Sequence, residues 1–351
     1  MKISRSTNLS LDKFIEWALY DKDSGYYMKK NPFGKDGDFI TAPNITRLFS
    51  EIIAIWVITF WKSIGSPKKF NLLELGAGNG EMMKVIIETL KNFPKCFNAC
   101  NFIIYEKSNF LINQQKKNLN FEKISWVKNI KKINAYPILY LANEFFDAIP
   151  IKQFFKKKEG WVERFVELNI SKKAKFKEKK INIKKLEQSL NFEISKNQNI
   201  IEYSPETFKY LKTICDIIQK NDGGILLIDY GYLKSKMSET LQAVNKHEYS
   251  NVLENIGDSD ITHNINFSLF QKFIDQFDNL NSIVTSQKKF LTSMGILQRA
   301  EIISKNIPFS KKTDLFYRIR RLIDEKQMGE LFKVMLIKNI KNKFKIGFEI
   351  D

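Results

Sequence analysis

The chain has 351 residues, 43% of them hydrophobic, and a formal net charge of +18. An apolar fraction of this size can supply a large buried core, which excludes an intrinsically disordered protein. The longest apolar stretch, from Ile52 to Trp61, has half of the ~20 residues that a membrane-spanning helix needs, and three cysteines cannot form a disulfide framework. We therefore expect a soluble globular protein of a reducing, cytoplasmic compartment.

The positive charge comes mostly from lysine, because only seven of the 57 basic residues are arginine. Arginine is the residue that reads bases and phosphates with a planar, forked geometry. The lysines are spread along the whole chain, which is typical of a general compositional bias. This pattern favours a solvated lysine-rich surface, and a dedicated nucleic-acid footprint stays open as the alternative.

The first seventy residues are predicted to be helical and irregular. Apolar residues at helical spacing between Leu11 and Leu19 predict an amphipathic helix. A polar loop with glycines covers 31–43, and a long apolar helix is expected from about Ile45 to Ile64. The sequence Gly65-Ser66-Pro67 ends that helix.

From Phe70 onward, short apolar runs alternate with helical segments, as in a parallel sheet covered by helices on both faces. A region at 151–202 with alternating aromatic and charged residues predicts hairpins, with an exposed lysine-rich stretch at 171–185. Residues 232–282 are expected to be mostly loop and helix, before a final strand near Ile283–Thr285. The other predicted strands and helices are Phe70–Leu75, Asn79–Leu90, Phe102–Tyr105, a polar helix ending near Asn118, Pro137–Ala142 and Gly224–Asp229.

The strongest motif is the glycine-rich turn that follows the first of these strands. Gly76, Gly78 and Gly80 allow a tight turn and a close approach of the backbone to a ligand. Glu81 stands where a dinucleotide-binding motif has its third glycine, and a carboxylate there would repel a pyrophosphate. With Glu74 inside the strand as well, the turn suits the positively charged, phosphate-free S-adenosylmethionine. A turn with packing duties only is the alternative.

The next two predicted strands each end in polar residues. Glu106 lies where an acidic side chain can bind a ribose diol. Asn143 and Glu144 follow a buried strand, and Glu144 suits a cationic methyl acceptor such as a guanidinium group, which it can bind through two hydrogen bonds. In the alternative interpretation, Glu144 and Asp147 cap the following helix.

Three further features bear on a site. The loop Gly37-Asp-Phe-Ile-Thr-Ala-Pro43 is interpreted as a lid that closes over the cofactor, with an ordinary surface loop as the alternative. Asp229, at the end of a later strand, is a candidate for the acceptor side or a turn starter. His247 and His263 have no partners at metal-ligand spacing, so we expect no metal site.

Taken together, these motifs resemble the MidA-like methyltransferases, and the resemblance runs from about Leu9 to Ile337. Within the glycine turn, Ala77 and Asn79 stand where the family usually has proline and arginine. The segments that carry the resemblance are Gly25-Tyr-Tyr, 32–43, Leu73–Gly80, Asn143–Pro150, Ile228–Gly231, Asp260–Thr262, Asn266-Phe267, Gln287–Leu291, Met294–Ile296 and Met328–Glu330.

The resemblance implies an α/β fold: a class I, Rossmann-like, S-adenosylmethionine-dependent methyltransferase sheet with a helical N-terminal extension and an inserted α+β region. The expected parts are the extension with its lid loop (1–66), the cofactor-binding half (67–150), the hairpin insertion (151–202) and the rest of the sheet with a helical insertion (203–351). Our hypothesis for the reaction assigns Glu144 to binding of the acceptor and Asp147 or Asp229 to the departure of its proton. The resemblance assigns cofactor binding to Gly37, Asp38, Thr41, Pro43, Glu74, Gly76, Gly78, Gly80, Glu106 and Asn143.

The family includes the mitochondrial arginine methyltransferase that acts in complex I assembly, which makes symmetric dimethylarginine on a complex I subunit. The resemblance therefore implies a protein-arginine N-methyltransferase with a protein substrate, no metal and no membrane insertion, located in the mitochondrial matrix if the source is eukaryotic. Two alternatives stay open. One is a non-catalytic assembly or scaffold protein that retains the fold, and the other is a methyltransferase of RNA or of a small molecule.

Overall fold

The computed structural model describes residues 7–29, 32, 40–121, 123–133, 135–169, 173–245 and 248–349. The strands are β1 (Thr7–Ser10), β2 (Phe70–Leu75), β3 (Cys100–Tyr105), β4 (Ile124–Val127), β5 (Ile138–Asn143), β6 (Lys152–Lys157), β7 (Gly160–Leu168), β8 (Ala174–Ile181), β9 (Ile200–Tyr203), β10 (Gly223–Tyr232), β11 (Gln242–Asn245), β12 (Glu248–Ser250), β13 (Asp260–Thr262), β14 (Ile265–Asn266), β15 (Leu280–Ser286) and β16 (Phe332–Asn339). The helices are α1 (Leu11–Tyr20), α2 (Tyr26–Lys29), α3 (Ala42–Ile45), α4 (Arg47–Ser63), α5 (Glu81–Leu90), α6 (Pro94–Ala99), α7 (Asn109–Leu119), α8 (Ile183–Leu190), α9 (Pro205–Asn221), α10 (Phe267–Ile274), α11 (Gln287–Ser293), α12 (Ile296–Ser304), α13 (Phe309–Ile323) and α14 (Met328–Leu331), with a 3-10 turn at Ile130–Lys132.

The described residues form two compact units. The first unit takes its residues from Met1–Lys30, Phe146–Leu211 and Leu233–Phe273, and the second from Asn31–Phe145, Lys212–Tyr232 and Ile274–Asp351. Each unit is therefore built from chain segments that are distant in sequence. The four-part division of the chain expected from the sequence stays a prediction.

The second unit is built on a sheet with the strand order β15-β16-β10-β5-β2-β3-β4. Strands β10, β5, β2, β3 and β4 are parallel, and this confirms the predicted parallel sheet and four of its strands. The prediction that the strand near Ile283–Thr285 is the last one was wrong. That strand is β15, and β16 follows it and lies between β15 and β10, antiparallel to both. The run Val334–Ile337 of β16 is buried on both faces, as expected of an interior strand.

The long apolar helix predicted near Ile45–Ile64 is α4, which belongs to the core of the second unit. It begins after Thr46, whose side chain accepts a hydrogen bond from the Leu48 backbone. Trp56 stacks on Phe60 with ring centroids 5.4 Å apart, and the Trp56 indole donates to the Ile346 carbonyl at 2.9 Å. A helix that is apolar nearly all round therefore finds partners on several sides, which is why it is buried.

The first unit contains an antiparallel sheet with the order β1-β7-β6-β9, to which β8 adds by pairing with β7. The antiparallel pair β6 and β7 confirms the hairpin predicted at 151–202, and the lysine-rich strand β8 is exposed as expected. Helix α1 buries its predicted apolar face. Strand β1 corrects the expectation of a wholly helical and irregular N-terminal region, because it pairs with β7. The sheet β12-β11-β13 was not predicted either.

Candidate functional site

The turn after β2 brings three glycines into the left-handed region of backbone space. Gly76, Gly78 and Gly80 have φ values of 65°, 53° and 86°. A residue with a Cβ adopts such angles only at a cost, so each position favours glycine. The Gly80 backbone N–H closes the turn onto the Ala77 carbonyl at 2.7 Å, and α5 begins at the next residue. The sequence motif therefore forms the predicted strand–turn–helix unit.

Phe145 packs against the start of this turn. A Cβ built on Gly76 would lie 2.8 Å from Phe145 Cδ2, so the ring occupies the space that any side chain would need. Phe145 also meets Tyr105 edge to face, with centroids 6.3 Å apart. The aromatic ring thus forms one side of the glycine turn, a role that the sequence analysis did not assign to it.

Glu74 is a buried carboxylate inside β2, two residues before Gly76. Burial raises its pKa to about 8, the negative charge of Glu106 adds to this effect, and a hydrogen bond from the Met83 backbone opposes it. Its Oε2 atom has no hydrogen-bond partner in the described part of the chain. A buried polar oxygen without a hydrogen-bond partner is costly, which makes Glu74 a candidate for contact with a ligand.

Glu106 follows β3, and each of its two carboxylate oxygens accepts a hydrogen bond. Oε1 accepts from the Ser108 backbone at 2.9 Å, and Oε2 accepts from Gln115 Nε2 at 3.2 Å. Burial raises the pKa of Glu106, and these hydrogen bonds partly offset that effect. Glu106 is therefore oriented at the carboxyl edge of the sheet, next to the strand that carries the glycine turn.

Gln115, on α7, connects Glu106 to the glycine turn and was missed in the sequence. It is fully buried, and its Nε2 also donates to the Gly78 carbonyl at 3.0 Å. The Trp126 indole donates to its Oε1 at 2.9 Å. No local sequence signal marks Gln115, because its partners come from three other segments of the chain.

Asn143 and Glu144 lie where β5 ends, and Glu144 has a left-handed backbone with φ of 50°. Its backbone N–H donates to the Ile228 carbonyl at 2.9 Å. Its Oε1 accepts from Asn143 Nδ2 at 3.1 Å and from the Ala42 backbone at 3.3 Å. A left-handed residue other than glycine is strained, and such residues cluster at functional sites.

The end of the predicted lid loop contacts Glu144 through Ala42. Thr41 precedes α3, and Pro43 is its second residue; the Thr41 hydroxyl accepts from Asn44 Nδ2 at 2.8 Å. Asn44 in turn accepts from Asn79 Nδ2 at 2.9 Å, which ties the glycine turn to α3. Thus Thr41, Pro43 and the glycine turn share one neighbourhood. The predicted cofactor residues Gly37 and Asp38 lie outside the described residues.

The remaining candidates, Asp229 and Asp147, belong to different units. Asp229 is fully buried in β10, one residue after Ile228, and its Oδ1 accepts from the Tyr230 backbone at 3.0 Å. It therefore lies on the strand next to β5, at the same sheet edge as Glu144. Asp147 is buried in the first unit, where its backbone carbonyl accepts from the His263 backbone at 3.1 Å.

The donor and acceptor groups of this edge fit S-adenosylmethionine. Ala142 pairs with Leu75, and Asn143 directly follows Ala142. Asn143 therefore lies on β5 beside the start of the glycine turn. Its Oδ1 is a second buried acceptor without a partner among the described residues. Two carboxylates and an unsatisfied amide oxygen favour an ammonium or sulfonium group and disfavour a phosphate.

Neither a metal centre nor a membrane span is found in the described parts of the chain. There, no group of three or more His, Cys, Asp or Glu side chains is placed to hold a metal ion. No described helix combines the length and the apolar character needed to cross a bilayer.

Comparisons with known proteins agree with this geometry. A family model of S-adenosyl-L-methionine-dependent methyltransferases matches residues 52–285. The human relative, "Protein arginine methyltransferase NDUFAF7, mitochondrial", is 26% identical over 359 residues, covering 94% of this chain and 80% of the relative. The relative of the same name from Xenopus tropicalis is 25% identical over 357 residues, covering 95% and 83%.

A solved structure shows the same fold. It is a COG1565 superfamily member from Burkholderia thailandensis, bound to S-adenosyl-homocysteine, with a TM-score of 0.78 and 21% identity, covering 99% of this chain and 89% of that one. The likeness confirms the predicted methyltransferase α/β fold. From the family match over most of its length, the chain belongs to the S-adenosyl-L-methionine-dependent methyltransferases and, within them, to the MidA-like group.

Proposed function

We propose that this methyltransferase acts on arginine side chains of a protein. The observation that carries the proposal is the strained, doubly hydrogen-bonded Glu144 at the carboxyl edge of the sheet. An arginine guanidinium is planar, always charged and able to donate two parallel hydrogen bonds to a carboxylate. Glu144 has the charge and the fixed orientation that such an acceptor requires.

In this proposal Glu144 does more than bind the acceptor. A free guanidinium has a pKa of ~13.8, and its delocalised charge leaves no nitrogen strongly nucleophilic. Hydrogen bonds from two guanidinium nitrogens to Glu144 draw the positive charge toward those nitrogens. The third nitrogen then becomes the better nucleophile. Catalysis is otherwise positioning, with the reacting atoms held about 3–3.5 Å apart and in line.

The methylated nitrogen must lose a proton, and Asp229 is the acceptor that we propose. It lies on β10, the strand that neighbours the strand of Glu144, and its Oδ1 is oriented by the Tyr230 backbone. Asp147, the other candidate, lies in the first unit, and its role in proton transfer stays a prediction. A carboxylate positioned for proton transfer typically contributes about 10²–10⁴-fold to a rate.

The residues proposed to hold the cofactor surround the glycine turn. Bound S-adenosylmethionine supplies an electrophilic methyl group on a sulfonium sulfur. Glu74 and Asn143 offer buried acceptors to its ammonium group, and Glu106 offers a carboxylate to its ribose hydroxyls. Gly76, Gly78 and Gly80 let the backbone approach it closely. Thr41 and Pro43 lie at the described end of the predicted lid loop, and their proposed contribution is to help exclude water.

The names of the relatives support arginine as the acceptor, since the human and frog proteins are called protein arginine methyltransferases. We extend the proposal to a protein substrate of the respiratory complex I type and to symmetric dimethylation, as the sequence resemblance implies. The relatives are called mitochondrial. For a eukaryotic source, the proposed location of this chain is the mitochondrial matrix, in keeping with those names.

The test combines mass spectrometry with calorimetry. Arginine methylation is compared between cells with and without the gene, and the peptides that lose methylation are then used as substrates for the purified protein. We expect Glu144→Gln to abolish turnover while it binds S-adenosylhomocysteine with nearly unchanged affinity. Glu325→Gln, which alters an exposed glutamate paired with Lys288, is the control and should retain full activity.

Two results would contradict the proposal. Full turnover by Glu144→Gln on a genuine peptide would remove Glu144 from the reaction. Unchanged arginine methylation without the gene, together with normal cofactor binding, would favour the scaffold or the RNA and small-molecule alternatives. Methyl transfer to RNA or to small molecules would then favour a methyltransferase of those substrates. The absence of any methyl transfer would favour the scaffold.

A further inference from the structure

Helix α13 presents an aromatic face to solvent. Phe309 is 83% exposed, Tyr317 65% and Phe316 39%, whereas Leu322, on the opposite side of the helix, and Ile319, at the margin, are buried. With about 100° between successive residues, the three aromatic side chains lie within a sector of about 100°. We call this sector, which also contains Thr313 and Arg320, the aromatic face of α13. Phe316 and Tyr317 are consecutive, and Phe309 lies about 10 Å from them along the helix axis. Large apolar side chains exposed on one face of a helix favour a binding partner.

Positive charge borders the aromatic face on both sides. Lys312 lies about 40° beyond Phe316, and Arg321 lies about 40° beyond Tyr317. Among the described residues, neither cation forms an ion pair. Over its whole length the helix carries five basic residues and one acidic residue: Lys311, Lys312, Arg318, Arg320 and Arg321 against Asp314.

The acidic residues nearby do not neutralise this border. Asp314 pairs with Arg318 at 2.8 Å, and Arg318 also donates to the Ile45 carbonyl at 3.0 Å, so both are engaged toward the body of the second unit. Asp324 pairs with Arg320 at 3.3 Å, beyond the end of the helix. The aromatic face itself contains no acidic side chain. A partner that fits this face therefore has an apolar layer for the aromatic rings and negative charge for Lys312 and Arg321.

We propose that the aromatic face of α13 docks on the surface of a bilayer that contains anionic phospholipids. The helix would lie parallel to the surface, with the Phe309, Phe316 and Tyr317 rings at the boundary between headgroups and acyl chains. The long side chains of Lys312 and Arg321 can extend from the edges of the face to lipid phosphates. Helices of this composition bind membranes through buried apolar area together with attraction to anionic lipid, without crossing the bilayer.

Charge argues against a second copy of the chain as the partner. A symmetric dimer through this face would bring Lys312, Arg320 and Arg321 of both copies into one interface. Asp324 compensates Arg320, but the face supplies no acidic residue that could compensate Lys312 and Arg321. A lipid surface supplies both the apolar layer and the negative charge that the face lacks.

The experiment measures co-sedimentation of the full chain with large vesicles at physiological ionic strength. One vesicle contains phosphatidylcholine alone, and in the other phosphatidylglycerol replaces part of it. We expect about tenfold stronger partition onto the anionic vesicles, decreasing as salt is added. Phe309→Ser with Tyr317→Ser should reduce partition about tenfold or more, because both rings would leave water on binding. Lys312→Gln with Arg321→Gln should weaken the preference for anionic lipid, and the rest of the positively charged chain should account for the preference that is left.

Tyr249→Ser provides the matched control, because Tyr249 is 80% exposed but lies on β12 in the first unit. It should bind vesicles like the wild type. Melting temperature and S-adenosylhomocysteine affinity are measured for every variant, so that a loss of vesicle binding by a folded protein can be assigned to the altered face.

Several outcomes would overturn the proposal. These are equal partition onto neutral and anionic vesicles, unchanged partition of the Phe309/Tyr317 variant, or an equal loss in Tyr249→Ser. Sedimentation velocity could instead reveal a dimer that disappears in the Phe309/Tyr317 variant, which would make a second copy the partner. Binding of a fluorescent RNA that depends on the same residues, without vesicle binding, would assign the face to nucleic acid.

Discussion

The Gln115 side chain donates to Glu106 Oε2 at 3.2 Å and to the Gly78 carbonyl at 3.0 Å. One amide group thereby sets the position of a strand-end carboxylate relative to the glycine turn. The Trp126 indole, which can only donate, bonds to Gln115 Oε1 and so fixes which end of the amide faces Glu106. We infer that Gln115 is a positioning residue that acts through Glu106.

We expect Gln115→Leu to raise the KM for S-adenosylmethionine about tenfold and to change kcat much less. The variant keeps the volume of the side chain but leaves Glu106 Oε2 and the Gly78 carbonyl without their donor, at a cost of about 1–3 kcal/mol. Titration calorimetry with S-adenosylhomocysteine should show the same loss. The neighbouring Gln114→Leu, at a position that is only partly buried, is the control.

A second substitution separates positioning from packing. Gln115→Glu is nearly isosteric but places a carboxylate beside Glu106, so the pKa of Glu106 should rise further and cofactor affinity should fall more at neutral pH than in Gln115→Leu. The affinity should recover partly when the pH is raised. Equal affinities for the two variants at all pH values would show that Gln115 serves packing alone.

A different prediction concerns the contact between Gly76 and Phe145. Gly76→Ala introduces a Cβ 2.8 Å from Phe145 Cδ2 as well as strain from a φ of 65°. Gly65→Ala is the matched control, because Gly65 has a similar φ of 84° but nothing within 4 Å of the new Cβ. We expect Gly76→Ala to be less stable than Gly65→Ala by about 1–3 kcal/mol, measured by denaturant unfolding.

The double variant Gly76→Ala with Phe145→Ala tests the cause. If the ring is what the new Cβ meets, the two substitutions should be non-additive, with the double variant more stable than the sum of the single effects predicts. Additive effects, or equal stability of the Gly76 and Gly65 variants, would mean that the Phe145 ring moves aside without cost.

These residues show what the sequence does and does not reveal. Gly76, Gly78 and Gly80 could be predicted because left-handed backbone is encoded locally, one residue at a time. Gln115 could not, because its partners Gly78 and Glu106 lie 37 and nine residues away, and only the packed sheet brings them together. Phe145 belonged to a recognised motif, but its contact with the turn depends on the pairing of β5 with β2.

The same reasoning explains the elements that were missed. Strand β1 has four residues and no apolar run, so only its pairing with β7 defines it. Strand β16 has a clear apolar run, which by itself is typical of a buried strand. Long periodic segments such as α1 and α4 were predicted correctly, because their burial patterns repeat over several turns.

Glu74 predicts how stability depends on pH. Burial raises its pKa from 4.5 to about 8, so the folded protein holds a proton that the unfolded chain has lost between these pH values. The contribution of Glu74 to the free energy of unfolding should therefore be largest below pH 4.5. It should decrease by about 1.4 kcal/mol per pH unit up to about pH 8 and then level off. Glu74→Gln, which stays neutral, should lose this slope and should be more stable than the wild type at pH 8.

Chemical denaturation of the protein without cofactor, repeated from pH 6.5 to 8.5, measures the slope of the unfolding free energy against pH that we attribute to Glu74. S-adenosylmethionine should weaken it, because an ammonium group near Glu74 favours the charged carboxylate and lowers its pKa. A wild type whose unfolding free energy does not change over this range, or a Glu74→Gln variant with the wild-type slope, would exclude a buried neutral Glu74.

The burial of His263, in the first unit, leads us to expect that the free energy of unfolding changes with pH in the opposite direction at lower pH. Burial lowers its pKa from 6.5 to about 4, with a hydrogen bond to the Asp147 backbone opposing the shift. Between these pH values the unfolded chain binds a proton that the folded protein does not, so stability should decrease by about 1.4 kcal/mol per unit as the pH falls from 6.5.

Between pH 6.5 and 4.5 this slope opposes that of Glu74, and the wild type should show little net change from the two groups. His263→Gln should then become more stable as the pH falls through that window, whereas Glu74→Gln should become less stable. If both variants became more stable as the pH falls from 6.5 to 5, the His263 assignment would be contradicted; if both became less stable, the Glu74 assignment would be contradicted.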